Sequence, residues 1–221
     1  MSAYYFSFPL DAKLQQTLDD LLTNHAKGQY ADASVPVTLA VGTTDGVIKA
    51  LALDVIDILK TNGEGAGVLG MLANLLKSTM HTLIKQIMGK VSNAEQDKLA
   101  GYLSRRRVMV NGAARFGFSM PDAIGSRFES VLKRIAAGDM TNSREDLTSA
   151  MNDFINLSTA CFYDEFTGAL DLGFVKQKMV SMGRSAILKG SQSAVAKLFV
   201  SMSDDDLKRV CAHYDFMFVK A

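Results

Sequence analysis

The chain has 221 residues, 48% of them hydrophobic, and a formal net charge of +1. This content can fill one sizeable core, and the near-neutral charge by itself implies no class of partner. Two cysteines, Cys161 and Cys211, are too few for a disulfide-stapled secreted domain. The N-terminal residues lack a signal-peptide pattern, and no apolar run approaches the ~20 residues of a spanning helix. We therefore expect a cytoplasmic protein with a single helical domain over 1–221 and no transmembrane segment.

The predicted elements begin with a candidate strand over 3–8 and a helix over 11–26, whose leucines recur on one face. A loop over 28–44 follows, with a candidate strand at 35–41 in the β-branched run VPVTLAV. An almost wholly apolar helix is predicted over 46–61, with Asp45 as its N-cap.

The clearest amphipathic pattern covers residues 67–90, where apolar residues recur every three to four positions and polar residues fall between them. Ser92 and Glu95 then have capping-box spacing and open another helix, which runs into Arg105, Arg106 and Arg107. Residues 108–118 are ambiguous. Asn-Gly between apolar segments is typical of a hairpin, but the helix could also continue and break there.

The remainder of the chain predicts more helices and a terminal strand. The tail DFMFVK is a candidate strand that could pair with residues 3–8. Together these elements predict a mainly α protein, a single-domain multi-helix bundle with at most a small β element formed by the termini or a hairpin. The further predicted helices cover 119–138, 142–166, 172–188, 191–202 and 203–214, with a break at Gly190.

Residues 65–70, GAGVLG, form a literal G-x-G-x-x-G. A dinucleotide site needs a strand before the first glycine and an acidic residue about 20 positions later. The preceding residues have helical spacing, and Lys85 stands where the acid should be. We therefore expect a glycine-loosened helix start and no cofactor. No Walker loop, serine-hydrolase motif or metal-ligand spacing occurs either, which favours a non-enzymatic protein.

Basic residues are unevenly distributed, because 65–94, 98–121 and 172–203 contain no Asp or Glu. Arg105, Arg106, Arg107 and Arg115, with phenylalanines nearby, could bind an anionic partner such as nucleic acid. The alternative is a solvated helix end. The 67–90 helix could also lie on an anionic membrane surface, although burial in the core is the competing interpretation.

Residues 188–199, LKGSQSAVAKLF, resemble the turn and recognition helix of bacterial helix-turn-helix repressors. The resemblance rests on Ser191, Gln192, Ser193, Ala194, Val195 and Lys197. It implies that Ser191 and Gln192 face base edges and that Lys197 meets a phosphate. Arg184 adds basic charge nearby, although Arg184 and Ser185 stand where the preceding helix of this motif usually has small apolar residues. Lys189 and Gly190 depart from the pattern at the turn. Two packed helices with a glycine break are the alternative.

Twelve methionines, several on helical apolar faces, predict a plastic core or a groove for a hydrophobic ligand or a partner helix. The first functional hypothesis is a non-enzymatic interaction protein that binds a protein partner or self-associates through an apolar face. The second is a nucleic-acid-binding regulator that uses 98–115 or 176–197. The third is a helical-bundle carrier or enzyme with a hydrophobic ligand site.

Overall fold

A computed structural model describes residues 3–59, 64–89 and 91–220. The chain is mainly α-helical, with one small four-stranded antiparallel sheet, as the sequence predicts. The strands are β1 (Tyr4–Phe8), β2 (Arg107–Val110), β3 (Ala113–Met120) and β4 (Phe218–Lys220). The helices are α1 (Ala12–Ala26), α2 (Ser34–Ile48), α3 (Asp54–Leu59), α4 (Glu64–Ile87), α5 (Asn93–Arg106), α6 (Asp122–Ala136), α7 (Ser143–Ser158), α8 (Glu165–Gly168), α9 (Phe174–Ser201) and α10 (Asp204–Asp215).

The sheet joins the two ends of the described chain, in the strand order β2-β3-β1-β4. The predicted pairing of the first and last strands is confirmed, because Phe6 stands opposite Phe218 in antiparallel register. Residues 108–118 form a hairpin. Asn111 and Gly112 have φ of 51° and 79°, the left-handed conformation that a tight primed turn requires.

Side-chain caps open several of the described helices, among them the predicted capping box at Ser92 and Glu95. Asp11 accepts a hydrogen bond from the Leu14 amide at the start of α1. Ser92 and Glu95 bond each other's backbone amides in the predicted capping box. Ser203 accepts from the Asp206 amide and opens α10.

The prediction of a loop over 28–44 with a strand at 35–41 is wrong, because α2 begins at Ser34. Pro36 fits the first helical turn, where its missing N–H costs nothing. Leu39 and Thr43 face the core, and the Thr43 hydroxyl donates a hydrogen bond to the Leu39 carbonyl. Burial of this face outweighs the strand preference of the β-branched residues. Asp45 therefore lies inside α2 and does not cap a helix.

Two helices pass through a π-helical turn, which no sequence signal predicts. The first π turn, Lys49–Leu53, joins α2 to α3. The second π turn, Thr159–Asp164, joins α7 to α8. Each inserts a wider turn into an otherwise α-helical rod.

The predicted break at Gly190 is also wrong, because α9 runs unbroken from Phe174 to Ser201. Gly190 has another role: a Cβ there would lie 2.5 Å from Cδ2 of Leu75 on α4. The glycine leaves room for the Leu75 side chain where α4 and α9 pack as antiparallel neighbours. The helix-turn-helix interpretation of 188–199 is therefore wrong, since the turn that it requires does not form.

The core lies between the sheet and the helices, and phenylalanines dominate its centre. The ring of Phe6 on β1 lies 4.8 Å from that of Phe154 on α7 and 5.5 Å from that of Phe118 on β3, centroid to centroid. Phe128 on α6 stacks on Phe218 at 4.1 Å. These contacts hold the sheet against α6 and α7.

Candidate functional site

The bundle contains an apolar cavity of about 150 Å³ between α2, α4, α7 and α9. Leu69, Leu76 and Met80 line it from α4, and Ile155 and Ile187 from α7 and α9. Cavities of this size that are lined by such side chains stay dry and accept small apolar molecules. It is the best candidate for a binding site in the described residues.

The polar groups at the cavity wall are uncharged. No Asp, Glu, Lys, Arg, His or Cys is among the described residues that line it. Thr43 donates its hydroxyl to the Leu39 carbonyl and Ser158 to the Ile155 carbonyl, so these hydroxyls are used by their own helices. A ligand in the cavity would therefore contact mainly apolar side-chain atoms.

Both π turns border the cavity, the first through Leu51 and Ala52 and the second through Thr159, Phe162 and Tyr163. A π turn shifts the helical hydrogen-bond pattern and frequently accompanies a functional site. Two such turns in different helices that face one cavity are the most distinctive feature of this protein.

Side chains from neighbouring helices bond carbonyls of both π turns. His213 Nε2 donates to the Ala50 carbonyl at 2.8 Å, which requires a proton on that nitrogen. The Tyr214 hydroxyl donates more weakly to the Leu51 carbonyl, and the Tyr102 hydroxyl to the Phe162 carbonyl, both at 3.4 Å. These donors stabilise an irregular backbone that would otherwise leave buried carbonyls short of partners.

Burial keeps the phenols and the nearby thiol neutral. It raises the pKa of Tyr163 to about 12 and the pKa of Tyr102 and Tyr214 above the ordinary range. Burial also raises the pKa of the Cys161 thiol, an effect that the Arg106 guanidinium only partly opposes. Cys161 therefore stays protonated near neutral pH and is not an activated nucleophile. Both cysteines are free thiols.

The candidate anion-binding arginines of α5 and β2 pair within the protein. Arg105 and Arg106 both bond Glu165, at 3.1 and 3.3 Å. Arg107 bonds Asp19 at 2.7 Å. Arg106 is buried, and its guanidinium lies against the rings of Tyr102 and Phe118. These arginines pair with acidic side chains of the protein, but only Arg106 is removed from solvent, because Arg105 stays exposed and Arg107 is half-buried.

Arg115 lies apart from that cluster and holds the sheet together. Its Nη2 donates to the Ser7 and Phe216 carbonyls, and its guanidinium lies 4.5 Å from the centroid of the Phe216 ring. Arg115, predicted as a candidate for binding an anionic partner, therefore has structural partners within the protein.

The residues of the helix-turn-helix resemblance lie on different faces of α9. Ser191 is buried, while Gln192 is half-buried and bonds Asn156 weakly. Lys197 is exposed, and Arg184 is paired with Asp164 at 2.8 Å. The structure thus brings none of these side chains together on one reading face.

The G-x-G-x-x-G stretch lies in the first two turns of α4, as expected from its helical surroundings. The helix-start interpretation is confirmed, because α4 begins at Glu64; the last described residues before it, Asp54–Leu59, form a helix and not the strand that leads into a dinucleotide loop. A Cβ at Gly67 or Gly70 would meet nothing within 4 Å, so these glycines do not mediate a close helix contact.

Of the methionines that suggested a groove, some lie at the cavity and others lie at the protein surface. Met80 and Met151 line the cavity, whereas Met71 and Met182 are exposed. The sequence therefore signalled an apolar site through methionine content but could not place it. The residues that it missed are those of the π turns and the donors His213, Tyr102 and Tyr214.

No family model matches this sequence, and neither a curated protein nor a solved structure matches it. Within the described residues, no three His, Cys, Asp or Glu side chains are grouped so that they could hold a metal ion. None of the helices described there combines the length and the apolar character needed to cross a bilayer. The cavity and the surface of the molecule are therefore the basis for any functional proposal.

Proposed function

We propose that this protein is a non-enzymatic binding protein for a small apolar ligand, which it holds in the cavity between α2, α4, α7 and α9. The observation that carries the proposal is the convergence of two π turns on one uncharged cavity. A regular α-helix at either position would carry different residues to the wall, so the irregular backbone shapes the cavity.

The size and the lining of the cavity define the ligand class. About 150 Å³ accommodates one six-membered ring or a short stretch of alkyl chain. Thr44, Val47 and Leu72 at its wall are half-buried, so the cavity approaches the surface between α2 and α4. A longer chain could insert its end there.

The same lining argues for binding without chemistry. General acid-base or nucleophilic catalysis needs a titratable group within hydrogen-bond reach of the substrate. The tyrosine hydroxyls at the wall bond backbone carbonyls, and burial raises their pKa values. A carrier or sensor role follows more directly from these contacts than an enzymatic role.

The test compares thermal unfolding with and without benzene and short alkanols. A ligand at 100 times its Kd stabilises the folded state by about 2.7 kcal/mol. For a chain of this length we expect the melting temperature to rise by roughly 5–10 °C. Mass spectrometry of an organic extract of the purified protein would identify a ligand that is already bound.

Two leucine variants make the test specific. Ser191→Leu places a larger apolar side chain at the cavity wall, whereas Ser193→Leu, on the same helix, projects to solvent. We expect Ser191→Leu to lose the ligand-induced shift while it stays folded, and Ser193→Leu to keep the shift. Equal shifts in both variants, or no shift with any apolar probe, would contradict the proposal.

The two other functional hypotheses have less support. The nucleic-acid hypothesis loses its strongest residues, because Arg105, Arg106, Arg107 and Arg184 all pair with acidic side chains of the protein. Self-association or binding of a protein partner stays a prediction, and several exposed apolar side chains are compatible with it.

A further inference from the structure

The two longest acid-poor stretches of the sequence form neighbouring helices. Lys176 at the start of α9 donates to the Ile87 carbonyl at the end of α4. A Cβ at Gly183 would approach Thr79, and one at Gly190 would approach Leu75, so the helices run antiparallel along their length. Together they carry one acidic side chain, Glu64, and the basic side chains Lys77, Lys85, Lys176, Lys178, Arg184, Lys189 and Lys197.

Part of this charge is neutralised within the protein and part is not. Lys77 lies 3.7 Å from Asp45, and Arg184 pairs with Asp164. The nearest acid in sequence before α9, Asp171, pairs with Lys98 at 2.7 Å. Exposed lysines with no acidic partner in the described part of the chain remain at 85, 178, 189 and 197.

The same two helices expose large apolar side chains. Phe174, Val175 and Met182 on α9 are 81%, 71% and 66% exposed. Of the ten exposed large hydrophobic residues in the described chain, six lie on α4 and α9. These six are Met71, Leu75, Phe174, Val175, Met182 and Val200.

The apolar and basic residues of α9 alternate along one face. Phe174, Lys178, Met182 and Lys189 are spaced by four or seven residues, which places them on one side of the helix. The face continues through Lys197 and Val200. Over its 28 residues α9 is about 42 Å long and carries no carboxylate.

We propose that this outer face of α9 docks on the surface of an anionic lipid bilayer. A helix with exposed apolar residues set among lysines lies in the headgroup region, where the apolar side chains enter the bilayer and the lysines meet anionic headgroups. The inference is independent of the cavity, which belongs to the interior of the bundle.

Charge complementarity selects this partner over the other candidates. A second copy would bring a like-charged face against this one, which is unfavourable. Recognition of single-stranded nucleic acid relies on stacking by several exposed aromatic side chains, and of the two aromatic residues on α9 Phe174 is exposed whereas Phe199 is buried. The only arginine of α9 is already paired with Asp164.

The experiment is vesicle co-sedimentation of the full chain, with phosphatidylcholine vesicles and with vesicles that also contain phosphatidylserine. We expect binding only to the anionic vesicles, with a decrease at high salt. Lys178→Glu with Lys189→Glu should reduce the partition coefficient by at least about twentyfold. The matched control, Lys13→Glu with Lys208→Glu, reverses two exposed lysines on α1 and α10 and should bind like the wild type.

A fluorescence reporter tests the orientation, because the chain has no tryptophan. Phe174→Trp should shift its emission to the blue with anionic vesicles and not with neutral ones. Phe174→Ser with Met182→Ser should weaken binding without changing the circular dichroism spectrum or the apolar-ligand shift of the cavity.

Several outcomes would overturn the inference. These are equal binding to neutral and anionic vesicles, no binding at low salt, or equal losses in the two lysine double variants. Tighter retention by DNA or RNA that is lost with Lys178→Glu and Lys189→Glu would assign the face to nucleic acid. A dimer that dissociates in the Phe174→Ser, Met182→Ser variant would assign it to self-association. None of these results would affect the cavity proposal, whose readout is the ligand-induced melting shift.

Discussion

At the scale of single residues, the protein ties polar groups to partners that are distant in sequence. Glu129 of α6 accepts hydrogen bonds from Lys133 on its own helix, Tyr4 of β1 and Lys220 of β4. The bond from Lys133, with that from Tyr4, lowers the pKa of the Glu129 carboxyl to about 2. One carboxylate thus joins α6 to both strands that contain the ends of the described chain.

Glu129→Gln should therefore change the pH dependence of stability. A carboxyl with a lowered pKa in the folded state contributes stability above its ordinary pKa of 4.5, and this contribution decreases as the pH falls toward 2. We expect the variant to be less stable than the wild type at pH 6 and the difference to vanish near pH 2. Urea midpoints across this pH range would measure it.

A control separates this effect from loss of any surface charge. Glu145 is exposed and makes no ion pair in the described residues, so Glu145→Gln should follow the wild-type curve. A constant gap between Glu129→Gln and the wild type at every pH would contradict the role given to this carboxylate.

At the scale of elements, the sequence predicts features that depend on neighbouring residues, but it does not predict features that depend on contacts between residues distant in sequence. The capping box at Ser92 depends on neighbouring residues, so its spacing predicted it, and the Asn111-Gly112 pair indicated a hairpin turn without excluding a helix that breaks there. The start of α2 at Ser34 and the continuity of α9 depend on burial against other helices, as at Gly190 and Leu75. The π turns, and hence the cavity, depend on donors such as His213 that lie far away in sequence.

His213→Leu tests the support of the first π turn. The substitution leaves the part-buried Ala50 carbonyl without its donor, which should cost about 1–3 kcal/mol of unfolding free energy. His25→Leu is the matched control, because His25 pairs with Asp97 at the surface and such pairs contribute at most about 1 kcal/mol. Equal losses in denaturant unfolding would show that the π turn does not need His213.

At the scale of the whole molecule, the sheet makes the fold depend on one close backbone approach. A Cβ at Gly117 of β3 would lie 2.0 Å from the Phe6 carbonyl oxygen and 2.7 Å from the Ser7 Cα, both backbone atoms of β1. Neither atom can move without displacing the strand. Glycine at this position therefore allows β1 to lie beside β3.

Gly117→Ala should consequently destabilise the protein by more than about 3 kcal/mol or prevent folding. Gly101→Ala is the control, because a Cβ there meets only the Arg105 Nη1 at 3.7 Å and alanine favours the helical state. We expect Gly101→Ala to be neutral or stabilising by up to about 1 kcal/mol. Similar stabilities of the two variants in urea would contradict this account of the sheet.

The position of β1 between β3 and β4 has a kinetic consequence. Tyr4 pairs with Met120 on one side and with Lys220 on the other, so the sheet closes over most of the chain. Contacts between residues so distant in sequence carry a large loop-closure entropy, which slows folding relative to helical bundles with local contacts. We infer that the helices form first and that the pairing of β1 with β3 and β4 limits the rate of folding to the native state.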